Sequence, residues 1–102
     1  MIALSIRRTL FDQDSEVDRV TGIAIPNWDD IPLVKLLRSV DYYEDAAFNY
    51  HLLGDVLSEI DHWLAYERER ADPEQRSENI ELIRGTLKEA LDRRWYAVFL
   101  SL

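Results

Sequence analysis

The sequence predicts an α+β fold: a small sheet, made of an N-terminal hairpin and a C-terminal strand, packed against about three helices in the order β-β-α-α-α-β. Three observations carry this. Ile2, Leu4 and Ile6 alternate with Ala3, Ser5 and Arg7, the period of two expected of a half-buried strand. The middle of the chain places apolar residues at helical spacing, as in Leu53, Val56, Leu57, Ile60, Trp63 and Leu64. The last residues, Trp95-Tyr-Ala-Val-Phe-Leu-Ser-Leu102, are rich in the aromatic and β-branched types that favour strands. The alternative continues the last helix to residue 102 and makes the chain a mostly α-helical bundle. With 102 residues, 47% hydrophobic and 31% charged, residues 1–102 are read as a single domain with a real core.

The elements follow in order. The first strand gives way to the polar stretch Asp12-Gln-Asp-Ser-Glu-Val-Asp18, and β-favouring residues resume from Val20 to Ile25 before Pro26. That pattern is a hairpin with a long acidic loop. Asn27-Trp-Asp-Asp30 begins the helical part, because Asp29 or Asp30 can accept from free N–H groups of a first turn and Pro32 is tolerated there. Leu33, Leu36, Leu37 and Val40 form the stripe of this first helix. The second helix is expected from about Asp41 to about Arg70, with Gly54 near its middle as a weak point. Ala71-Asp-Pro-Glu-Gln is the clearest break, since Pro73 cannot continue a preceding helix. Ser77 is the expected cap of the third helix, whose stripe is Ile80, Ile83, Leu87, Ala90 and Leu91. Arg93 and Arg94 fall in its last turn, where cations face exposed carbonyls. The final strand is expected to be buried on both faces beside the hairpin.

Charge narrows the function classes. Twelve basic and 20 acidic residues give a net charge of −8, which opposes direct nucleic-acid binding and attachment to anionic lipid. There is no cysteine, so disulfides, thiolate metal sites and cysteine nucleophiles are excluded. No apolar run reaches the roughly 20 residues that span a bilayer. At the start of the chain the basic pair Arg7-Arg8 follows the apolar stretch, the reverse of a signal peptide, and a cytoplasmic protein is expected.

The acidity is uneven. Residues 35–72 carry 4 basic and 9 acidic groups, whereas residues 73–102 carry 5 of each. No Lys or Arg occurs between Arg38 and Arg68, an interval holding Asp41, Glu44, Asp45, Asp55, Glu59 and Asp61. Such a run is either a solvated helix face that aids solubility or an acidic surface that docks on a basic partner. Tyr42, Tyr43 and Tyr50 stand among these acids. Adjacent tyrosines on a helix point about 100° apart, so one of Tyr42 and Tyr43 is expected to be exposed. The five residues Asp41-Tyr-Tyr-Glu-Asp45 resemble, over that short stretch alone, the acid-flanked tyrosine pair on a helix of the immunity proteins of bacterial nuclease toxins.

Catalysis finds little support. Glu59 and His62 make one Glu-x-x-His step, but a di-metal bundle wants that step twice plus two further carboxylates. His51 and Ser58 share a polar face with Asp55 and His62, without the third group or strained elbow of a nucleophilic site. Gly22, Gly54 and Gly85 stand alone, so no phosphate-cradling loop is present. No enzyme, metal or cofactor is expected.

Two readings remain. One is a small acidic protein that inhibits or neutralises a basic partner such as a nuclease toxin, as an immunity protein, an antitoxin or a nucleic-acid mimic. Its contact residues would be Asp41, Tyr42, Tyr43, Glu44, Asp45, Asp55 and Glu59, with the loop acids Asp12, Asp14, Glu16 and Asp18 as a second candidate. The other is a non-catalytic adaptor that self-associates, as a homodimer or in a larger complex, with Trp95–Leu102 as the self-pairing element if it formed an edge strand.

Overall fold

A computed structural model describes residues 1–70 and 73–102, residues 73–76 by their backbone. Strand β1 (Ile2–Arg7) and strand β2 (Glu16–Ile23) form the N-terminal hairpin. The chain then crosses two short 3-10 turns, Trp28–Asp30 and Leu36–Ser39, and enters strand β3 (Ala46–Phe48). Helices α1 (Tyr50–Arg68) and α2 (Pro73–Asp92) follow, and strand β4 (Tyr96–Ser101) ends the fold. All pairings are antiparallel and the sheet order is β2-β1-β4-β3.

The α+β class is as expected, with two helices in place of three. The segment 29–40 is not a helix. Its buried residues Ile31, Val34, Leu37 and Val40 recur every three positions, which suits extended chain and 3-10 turns, and Leu33 is exposed at φ 64°. Nor does a helix start at Asp41. The Asp41 carboxylate binds the N–H groups of Tyr43 (2.7 Å) and Glu44 (2.8 Å), a side-chain turn that competes with helix formation. Asn49 is the true cap of α1, accepting from His51 (3.0 Å) and Leu52 (3.3 Å). Helix α2 begins at Pro73, where a missing N–H costs nothing, so Ser77 lies inside the helix and is not its cap. Of the expected break, Ala71 and Asp72 lie outside the described residues.

Side chains of paired antiparallel residues share a face. Ile2, Leu4 and Ile6 of β1 align with Ile23, Val20, Phe99 and Ala97, and these join one core cluster with Leu53, Val56, Ile60, Ile80, Ile83 and Leu87 from the helices. Each such aliphatic side chain contributes about 1.5–3 kcal/mol by leaving water. In β2, Val20 and Ile23 are both buried although three residues apart. A bulge resolves this: two steps on β1 face three on β2, and Gly22 absorbs the extra residue at φ +69°, a conformation other L-residues adopt at a cost. The reverse face carries the pairs Ala3/Leu100, Ser5/Val98 and Arg7/Tyr96. There the Ser5 hydroxyl donates to Glu16 (2.6 Å) and accepts from Arg7 Nε (3.1 Å), while Arg19 Nε donates to Glu16 (2.9 Å).

Helix α2 ends in a six-to-one bond from Trp95 N–H to the Ala90 carbonyl (2.8 Å) and a second from Arg94 N–H to Leu91 (3.2 Å). This arrangement normally places glycine in the left-handed position. Here Arg94 holds it at φ 57°.

Candidate docking surface

The register fixes which acids can act together. Arg7 pairs with Tyr96 at one end of the sheet and Ile2 pairs with Ser101 at the other. The hairpin loop with Asp12 and Asp14 leaves β1 at the first end. The turn 41–45 is anchored at the second, because the Asp45 carboxylate accepts from Ser101 N–H (2.8 Å) and Ser101 Oγ (3.1 Å). The two acidic groups singled out in the sequence are therefore separate surfaces.

Within the turn each side chain has a distinct task. Asp41 closes the backbone through its bonds to Tyr43 and Glu44. Tyr42 is 45% exposed, and its hydroxyl accepts from Ile25 N–H (3.0 Å), tying the turn to the exit of β2. Tyr43 stands 90% exposed, and Glu44 is exposed beside it. Among the described residues, none of Asp41, Glu44, Asp45 and Asp55 has a cationic partner. The arginines in ion pairs are elsewhere, with Arg38 on Asp29, Arg68 on Glu81, Arg84 on Asp61, Arg93 on Glu89 and Arg19 on Glu16.

Asp55 is exposed on α1. Glu59 differs from all the others: it is 7% exposed and its carboxylate points inward. Oε1 accepts from Lys35 N–H (2.8 Å) and Leu37 N–H (3.0 Å), and Oε2 accepts from Leu36 N–H (3.1 Å). A buried carboxylate with three backbone donors is a structural cap on the Leu36–Ser39 turn. The structure thus brings together Asp41 to Asp45, keeps Asp55 on the helix surface, and uses Glu59 inside.

The loop acids are similarly divided. Asp12 accepts from Asp14 N–H (2.9 Å) and caps the 3-10 turn Gln13–Ser15, while Asp14 and Asp18 are exposed. Glu16 belongs to the reverse-face network. Burial alone would push its carboxyl up, but the bonds from Ser5 and Arg19 and the charges of Arg19 and Arg7 outweigh it and hold the carboxyl below its ordinary value.

Near the turn lies a cavity of about 320 Å³ between the exit of β2 and the facing turns of the two helices. Its apolar wall includes Ile23, Ile80, Ile83 and Trp63, and its polar lining includes Asp30, Glu67 and Asn79. Trp63 also meets Trp28 edge-on, with ring centroids 5.1 Å apart. Sequence reasoning did not find this cavity: Trp63 and Ile80 read there as core residues, and Asp30 as a helix cap.

Among the described residues no helix is long and apolar enough to cross a membrane. Nor do they contain a group of three or more His, Cys, Asp or Glu arranged to hold a metal. Protein-family models give no match to the chain, and neither curated proteins nor solved structures give a significant one.

Proposed function

We propose that this chain is a small acidic binding protein that neutralises a basic protein partner, such as a nuclease, without catalysing a reaction. The observation that carries the proposal is Tyr43. It is almost fully exposed on a turn braced at Asp41, Tyr42 and Asp45, so a large aromatic contact is presented at low entropic cost. Among the described residues, Asp41, Glu44 and Asp45 have no cationic partner, which favours a field that steers a positive surface. A cytoplasmic, cysteine-free setting belongs to the same proposal.

The self-pairing strand named for the adaptor reading does not support it. Strand β4 lies inside the sheet between β1 and β3, so Trp95–Leu102 is not an edge that a second copy could extend. Of the two edge strands, β2 carries two register shifts and Glu16, Asp18 and Arg19, and β3 is only three residues long, features that discourage strand addition.

The test is capture from the source cell on tagged protein, washed at low and at high salt, beside a Tyr43→Ala variant. A stoichiometric basic partner lost at high salt and bound roughly tenfold or more weakly by Tyr43→Ala is the expected result. A salt-resistant assembly, or a partner indifferent to Tyr43→Ala, refutes it. Tyr43→Ala and Glu44→Ala are cleaner probes than Asp45→Ala, which also releases Ser101.

A further inference from the structure

We propose that the hairpin tip around Phe11 is a second docking surface, and that it takes an apolar pocket with a cationic rim on the basic partner. This rests on the docking reading above and names a second anchor for the same partner. The tip leaves β1 at the Arg7/Tyr96 end of the sheet, away from the Tyr43 turn at the Ile2/Ser101 end. Phe11 is 93% exposed there, against 90% for Tyr43.

A lone exposed aromatic is ordinary on a protein surface; the bracing of its backbone sets this one apart. Arg8 N–H donates to the Ser15 carbonyl (3.2 Å) and Ser15 N–H to the Asp12 carbonyl (3.1 Å). Thr9 N–H donates to Ser15 Oγ (3.1 Å) and Asp14 N–H to the Asp12 carboxylate (2.9 Å). Support also comes from the sheet. Arg7 is 7% exposed, and its guanidinium donates to the Leu10 carbonyl (3.3 Å) as well as to Ser5 Oγ (3.1 Å). A buried cation has to be held by partners, and one of the bonds that holds this one fixes the residue before Phe11. The loop thus keeps its shape without the Phe11 side chain, and docking the ring orders little else.

Charge sets the occupant. Residues 8–19 carry two basic and four acidic groups, and Arg19 is paired with Glu16. Arg8 is left against Asp12, Asp14 and Asp18, none of which has a cationic partner among the described residues. A tip with this excess of acid fits a cationic rim and repels a second copy of itself.

The probe is the basic partner isolated by salt-sensitive capture, purified and titrated against the full-length protein and its Phe11→Ala, Tyr43→Ala and Gln13→Ala variants. Gln13 is an exposed neighbour in the same loop and controls for damage to the tip, and circular dichroism checks that each variant folds. Binding roughly tenfold or more weaker for Phe11→Ala, with Gln13→Ala within about twofold of the parent, is the expected result. Unchanged affinity for Phe11→Ala, or an equal loss for Gln13→Ala, overturns the assignment. The two surfaces fail separately. Loss with Tyr43→Ala alone leaves the docking reading standing and removes the tip. Loss with Phe11→Ala alone supports the tip and refutes the Tyr43 anchor. Absence of any salt-sensitive basic partner overturns both.

Discussion

Glu59→Ala should unfold the segment that α1 holds in place. Three N–H groups, those of Lys35, Leu36 and Leu37, converge on one carboxylate at 2.8–3.1 Å. A hydrogen bond to a charged group contributes about 1.5–3 kcal/mol net. The three do not simply add, because the buried carboxylate has lost hydration and Lys35, on the surface, can regain water. Leu37 cannot: it is 1% exposed, and its stranded N–H alone costs about 1–3 kcal/mol. The expected loss is about 3–4 kcal/mol, a large share of the roughly 5–15 kcal/mol that stabilises a domain. At about 4–8 °C per kcal/mol, the midpoint should fall by roughly 12–30 °C. Glu59→Gln keeps one oxygen for Lys35 and Leu37 but turns an NH2 toward the Leu36 N–H, and should cost about 2 kcal/mol. Asp55→Ala, on the exposed side of the same helix, should stay within about 0.5 kcal/mol. Urea and thermal unfolding followed by circular dichroism at pH 7 would measure all three. A Glu59→Ala loss below about 1 kcal/mol, or one equal to that of Asp55→Ala, would refute the capping argument.

Two further outcomes follow from the backbone and the reverse-face network. Arg94→Gly should stabilise the protein by about 0.5–1 kcal/mol, because it relieves a left-handed residue at the end of α2; unchanged or lower stability in urea would count against strain there. Glu16→Gln should destabilise at neutral pH, with the deficit shrinking as pH falls. A carboxyl held below its ordinary value stabilises the fold above the unfolded pKa, and that gain is lost as acid titrates through the folded one. A deficit constant between pH 7 and pH 3 would exclude the ionic part of the network.

The sequence made the long-period features legible. The β1 alternation, the stripes of α1 and α2 and the β-rich C-terminus all signal burial over many residues, and each became the expected element, although β1 is buried on both faces and not half-buried. The middle of the chain was misread because Leu33, Leu36, Leu37 and Val40 follow helical spacing, whereas the residues buried there, Ile31, Val34, Leu37 and Val40, recur every three positions. The correct stop and start were present in Asp41 and Asn49, whose side chains bind backbone N–H groups two and three residues ahead. Strand β3 has only three residues, two of them alanine, and alanine is depleted in strands. The docking turn was visible as a cluster of acids and tyrosines. What sequence could not separate was the outward Tyr43 from the pinned Tyr42, or the structural Glu59 from the exposed Asp55. Those distinctions depend on partners more than 15 residues away in the chain.

The central position of β4 bears on how the chain acquires its shape during synthesis. Strand β1 is made first, yet one of its two neighbours is β4, and β3 is joined to the sheet through β4. Before residues 96–101 are made, the N-terminal hairpin and the α1–α2 pair can form, but the sheet edge of β1 that β4 pairs with stays open. A chain stopped before Tyr96 would lose the strand that links the hairpin to β3, and with Ser101 the far anchor of Asp45. Folding is therefore expected to be a late and cooperative event that reads the chain to its final strand before the binding turn becomes rigid.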